Sequence, residues 1–285
     1  MAKTIGNPLS WLFQHAETTS SHITATVEEI GGENASEKPK VRRLEMADLK
    51  YALRAGAADF AACRSDAMFL VLFYPLIGMV MVVTGFSMNL VPLLLPMIMG
   101  FALVGPVAAV GLYEISKRRE AGFEPKWADA FGVIRSPAFG AILMLGFYLA
   151  ALFVVWLVCA NAIYVRTLGP EPPTSLTGFI SEVFTTGPGW IMMIFGSGLG
   201  AVFALLVLAI SLVSFPLLLD RHVGLPLAVV TSVQVLRASP SVVLTWGFLV
   251  GTSLVIGAIP FLIGLVLVVP ILGHATWHLY RRAIS

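Results

Sequence analysis

Charge is what this chain has least of. Residues 67–113, 136–165, 183–219 and 238–280 contain no Asp, Glu, Lys or Arg, over 47, 30, 37 and 43 positions. Charged side chains make up 12% of the 285 residues, about half the ~25% usual in a soluble domain, and the mean hydropathy is +0.88. Together these exclude a soluble globular protein. A helix needs about 20 apolar residues to cross a hydrocarbon core, so the four runs accommodate roughly two, one, one and two crossings. The expected fold is therefore all-α and polytopic, with six transmembrane helices.

Other absences narrow the chemistry. Ionisable residues inside a bilayer normally mark ion or proton pathways, and none of Asp, Glu, Lys or Arg falls within the expected crossings, which argues against coupled transport. There is no Ser-His-Asp grouping, HExxH, phosphate loop or GxGxxG following a strand, so no enzymatic activity is expected. Of the two cysteines, Cys63 sits at an interface and Cys159 near the far end of the third crossing. A bridge between them would have to span most of the bilayer, so two independent thiols are expected. Residues 1–14 hold Lys3 and a broken apolar patch, without the ~7–15 apolar residues of a cleavable signal.

What charge there is lies in patches. Of 18 Lys and Arg, 17 fall in the N-terminal region, the 114–135 loop, the 220–237 loop or the C-terminal tail; Arg166 is alone on the other side. By the positive-inside rule both termini are expected in the cytoplasm, which an even number of crossings permits.

A short pattern precedes three of the apolar runs. Gly56, Phe60 and Cys63 lead to Arg64; Trp127, Phe131 and Ile134 lead to Arg135; Val229, Val233 and Leu236 lead to Arg237. The spacing of four, three and one places three apolar residues on one helix face with an arginine just beyond. It predicts three repeats of an interfacial amphipathic helix followed by a transmembrane hairpin, in the manner of internally repeated proteins. The three arginines are candidates for a lipid-headgroup or anion site near a pseudo-threefold axis, or else for snorkelling anchors.

The expected order starts with a disordered tail, 1–43. The first repeat, 44–113, has its interfacial helix and then crossings at 67–86 and 91–113, the second kinked at Gly105-Pro106. The second repeat, 114–219, has an interfacial helix at 125–135 opened by Pro125, crossings at 138–164 and 190–219, and an external loop at 166–189. A surface helix is expected within that loop at 176–184. The third, 220–285, has an interfacial helix at 226–237, crossings at 242–259 and 261–279, and a basic C-terminus. In the first interfacial helix Leu49, Leu53, Gly56, Phe60 and Cys63 form the apolar stripe, with Asp48, Lys50, Arg54 and Asp59 elsewhere on the wheel. Gly196-x3-Gly200 and Gly247-x3-Gly251 fit the small-residue pattern of close helix packing.

His274 and His278 are the candidate cofactor ligands. Four apart on the last crossing, they share a helix face, and two neutral imidazoles there could share a metal or ligate a haem iron. No further His or acidic residue lies in the crossings to complete a metal site, and beside Trp277 and Tyr280 the pair also suits the headgroup zone. Asp220-Arg221-His222 reads as a solvated helix end.

VRRLEMADLKYALRAGAADF (41–60), GPVAAVGLYEISKRREAG (105–122), FPLLLDR (215–221) and PILGHATWHLYRR (270–282) resemble an uncharacterised bacterial family of integral membrane proteins. Some members have been labelled cytochrome c oxidase subunits. The resemblance implies a bacterial inner-membrane location and at most association with respiratory oxidase subunits. The chain lacks the spread-out histidines of a haem-copper catalytic subunit. The expectation is a non-catalytic accessory or scaffold protein whose partners are membrane lipids, not nucleic acid. The rivals are a passive transporter or channel for a small or lipidic substrate, and a haem-binding redox subunit.

Overall fold

The computed structural model describes residues 39–63, 73–87, 90–103, 105–221, 223–260 and 262–285. Arg64, most of the expected N-terminal tail, the start of the first expected crossing and His222 lie outside them. The described residues are helical apart from loops and one isolated bridge, Val41 with Ile284.

Helix α1 is Met46–Ala62, opened by the Glu45 N–H donating to Asp48 Oδ2 at 2.9 Å. Helix α2 is Phe73–Ser87. The second expected crossing is broken into α3 (Leu94–Leu103), the single turn α4 (Gly105–Ala108) and α5 (Val110–Glu120), with the interruption at Pro106 where proline removes a ladder donor. Trp127–Arg135 forms a 3-10 helix rather than the expected α-helix. Helix α6 is Phe139–Thr167; α7, Leu176–Thr185, is the surface helix expected in the loop, capped by Ser175 Oγ accepting from the Gly178 N–H at 3.0 Å.

Helix α8 is Gly187–Ser211, and after a turn at residues 212–213 the apolar stretch resumes as α9, Ser214–Asp220. Helices α10 (Leu225–Ala238), α11 (Pro240–Ala258) and α12 (Leu265–Ala283) complete the chain. Gly224, at φ 76°, supplies the left-handed residue that turns α9 into α10.

Three of these units are long and apolar enough to cross a membrane: Phe139–Thr167, Gly187–Asp220 and Pro240–Ala258. At ~1.5 Å per residue even the 19 residues of the shortest approach the ~30 Å hydrocarbon thickness. The most apolar windows of the first and third are only 28% and 22% buried. Phe147, Phe195, Phe248 and Ile259 lie on the open faces, a surface that suits lipid and not water.

The core is concentrated at the charged end. There α9 is nearly enclosed, Phe215 and Leu217 fully so, and it packs with α5, α6, α10 and α12. The most extensive helix pair is α1 against α12. A methyl placed on Gly56 would come 2.5 Å from the Ala275 backbone nitrogen, so only glycine permits this approach.

The buried face of α1 differs from the expected stripe. Leu49, Ala52, Gly56, Phe60 and Cys63 are buried, and Asp48 and Asp59 are buried with them. Residues 39–43 are not part of a loose tail either. Arg42 donates its backbone N–H to Ala283 O at 2.8 Å, and Val41 pairs with Ile284, so the stretch before α1 is tied to the last turn of α12.

The three arginine-ended segments occupy different surroundings. Phe60 and Cys63 are buried, Phe131 and Ile134 exposed, Val233 and Leu236 half-buried. The small-residue stripes divide likewise. Gly200 meets the Trp156 ring and Gly247 meets Leu208, whereas Gly196, Gly198 and Gly251 face open space.

Candidate functional site

The polar centre of the molecule lies where α1, α5 and α12 meet. Asp59, from α1, places its carboxylate between the other two helices. Ser116 Oγ donates to its Oδ2 at 2.7 Å, His278 Nε2 contacts the same oxygen at 2.8 Å, and Arg119 holds Oδ1 at 2.5 Å. His274 extends the chain inward, its Nδ1 lying 2.8 Å from Ser116 Oγ. The spacings explain the geometry. Ser116 and Arg119, three apart on α5, and His274 and His278, four apart on α12, each share a face toward Asp59.

Donor counting assigns the protons. Burial pushes the Asp59 carboxyl up, but hydrogen bonds from His278 and Ser116 and the nearby imidazoles outweigh it and hold the group below the usual carboxylate range. An ionised Asp59 accepts only, so Ser116 and His278 both donate to it. Ser116 has one hydroxyl proton, so its oxygen must accept from His274 Nδ1–H. That leaves His274 Nε2 as a bare lone pair. It is buried and has no hydrogen-bond partner, alone in that respect among the buried side-chain nitrogen and oxygen atoms of the described residues.

A second network lies beside the first. Tyr280 donates to Asp220 Oδ2 at 2.6 Å and Trp277 Nε1 to Glu120 at 2.9 Å, while Arg281 bridges Glu120 at 3.0 Å and Asp220 at 3.3 Å. Lys117 reaches Leu219 O at 2.8 Å. The expectation of a solvated end at Asp220 is corrected here, because its carboxylate is mostly enclosed by α12 and α5. Arg118, on the outer face of α5, pairs with Glu114 at 2.6 Å and Asp129 at 2.7 Å, which fastens the 3-10 helix to α5.

Of the candidate residues, His274 and His278 share one site, with partners the sequence did not suggest: Asp59, Ser116 and Arg119. The headgroup-zone reading fails for His274, which is fully buried. Both imidazoles are engaged on Asp59 and Ser116, and no group of three or more His, Cys, Asp or Glu able to hold a metal occurs among the described residues. Arg135 and Arg237 are exposed and outside the Asp59 network, and neither forms an ion pair among the described residues.

Residues 93–220 match a family described as "predicted integral membrane protein (DUF2189)", a description that names no oxidase. The matched stretch includes Ser116 and Arg119 but neither Asp59 nor the two histidines. No match was found among curated proteins or among solved structures. With three helices fit to cross a bilayer, and this family similarity running from α3 to α9, the chain is an integral membrane protein resembling the DUF2189 family over residues 93–220.

Proposed function

We propose that the chain is a non-catalytic accessory or scaffold protein of a bacterial inner membrane, with six crossings and both termini on the cytoplasmic side. The observation that carries this reading is the way polar groups are used at the charged end. Asp59, Glu114, Glu120, Asp129 and Asp220 each pair with a cation of this same chain. An arrangement of that kind builds a rigid platform for other proteins to rest on.

The segregation of Lys and Arg supports the orientation. Membrane lipids are the first partner. Exposed Arg135 and Arg237, with Lys50 and Arg54 on the open side of α1, stand beside exposed Phe131, Ile134, Val230 and Tyr51. Cations flanked by rings and aliphatic chains suit the headgroup zone of an anionic leaflet, at ~1 kcal/mol per cation.

A second reading, passive passage of a small or lipidic substrate, draws on an apolar groove lined by Met99, Phe248, Gly251, Thr252, Val255 and Ile256. One experiment separates the two. Tagged protein is purified in mild detergent, its companions are identified by mass spectrometry, and the protein alone is reconstituted for liposome flux. The scaffold reading expects a stable companion complex and no flux. A solitary protein that moves solute or lipid overturns it. The same sample tests two further expectations, oxidase subunits among the companions and a Soret band from haem on His274 or His278.

A further inference from the structure

We infer that the His274–Ser116–Asp59–His278 chain is an acid-released clasp, which holds α1 on α5 and α12 while His274 is neutral and lets α1 go when His274 takes up a proton. The closed arrangement has room for one proton pattern. Asp59 is matched by Arg119 on one oxygen and accepts Ser116 and His278 on the other, so its negative charge already has a cation against it. A proton on His274 Nε2 would add a cation with no acceptor, in a place with no access to water. An unpartnered charge buried in that way is strongly disfavoured.

The charged and titratable groups facing His274 are Asp59 on α1, Arg119 on α5 and His278 on α12. Arg119 opposes a second cation, and the charge of Asp59 is already matched. Lifting α1 removes Asp59 and opens the cluster to water, where an imidazole protonates at its ordinary value of ~6.5. Opening therefore binds a proton that the closed form excludes. Below pH ~6.5 the opening equilibrium gains about tenfold per pH unit, the slope for one proton taken up. Above it the clasp is indifferent to pH.

Cys63 reports the motion, because it closes α1 and is buried in the closed form. In a Cys159→Ser background it is the only thiol. Its alkylation by a neutral maleimide would be followed from pH 7.5 to 5, each rate divided by that of the denatured chain at the same pH. The expected result is a flat profile above pH ~6.5 and a rise of about tenfold per unit below it. His274→Asn keeps an N–H for Ser116 but cannot titrate, so its profile is expected to stay flat to pH 5. A flat wild-type profile overturns the clasp, and so does an unchanged slope in His274→Asn. Should that variant fail to fold, hydrogen exchange on the unaltered full chain decides. At pH 5.5, corrected for intrinsic rates, loss of protection confined to α1 supports the clasp; uniform loss, or none, refutes it.

Discussion

Replacing Asp59 by alanine is the most direct perturbation of the structure, because it removes the one acceptor that three donors share. Ser116 and His278 donate to it from enclosed positions, and a hydrogen bond to a charged group contributes ~1.5–3 kcal/mol. The Arg119 side chain is 35% exposed, so water screens it and its share falls in the ~0–1 kcal/mol range of surface pairs. The total, about 3–7 kcal/mol, overlaps the ~3–5 kcal/mol typical when one partner of a buried pair is deleted. At ~2–4 °C per kcal/mol for a chain of this order of size, the ~3–5 kcal/mol common to both figures should lower the unfolding midpoint by about 6–20 °C. Tryptophan fluorescence of detergent-solubilised protein measures it, with size-exclusion retention as a second probe. Asp129→Ala is the milder control, since that carboxylate is 33% exposed, pairs with a 36% exposed Arg118 and accepts the exposed Lys126 N–H; its loss should stay within ~2 kcal/mol. If Asp59→Ala is no more destabilising than Asp129→Ala, the central role given to Asp59 is wrong.

Acid provides an independent check on the same residue. A carboxylate held below its ordinary value stabilises the fold above that ordinary value, ~3.9, and the contribution disappears as pH falls through the lower folded value. The gap between wild type and Asp59→Ala should therefore narrow below pH ~6.5, where a proton on His274 opens the wild-type clasp, and the share that comes from ionised Asp59 itself should be lost below pH ~4. Gly56→Leu should separate α1 from α12 and lower the midpoint, by at least the ~1–3 kcal/mol of overpacking, whereas Gly196→Ala, with open space around it, should stay within ~0.5 kcal/mol. Tyr280→Phe deletes a buried hydroxyl donor to Asp220 and should lose about 1–3 kcal/mol in the same unfolding assay. Arg135→Gln with Arg237→Gln should leave that midpoint within ~0.5 kcal/mol while weakening retention of anionic lipid, measured by native mass spectrometry.

Much of the helical framework was legible because its cues are local. The charge-free runs marked the apolar helices, the external loop was expected to hold the surface helix that is α7, and Pro106, expected to kink the second crossing, lies at the break between α3 and α5. The 3-10 character of Trp127–Arg135 was not legible. Its +4, +3 pattern is a 3.6-residue period, yet the segment winds at about three per turn and exposes Ala128, Phe131 and Ile134 as one face. Arg118, reaching Asp129 from α5, helps to hold it there, and that contact lies outside any single helical wheel.

The site was half legible for a related physical reason. His274 and His278 attracted notice because two imidazoles at helical spacing are unusual in an apolar run. Asp59 did not, because on a wheel of α1 it lies only 100° from Phe60 and a charge there reads as the edge of the polar face. What moves that edge inward is the supply of donors from segments distant in sequence: Ser116 and Arg119 from α5, and His278 from the last helix. A buried carboxylate is tolerable only where such donors converge, and convergence belongs to the tertiary fold. The closeness of Gly56 to Ala275 is part of the same condition, since it brings the α1 backbone near enough for Asp59 to reach α12. Gly56 and Asp59 should therefore be coupled: Gly56→Ala alone should weaken the His278 contact, and adding it to Asp59→Ala should destabilise by less than the sum of the two, by at least the ~0.5 kcal/mol that separates interacting from independent sites.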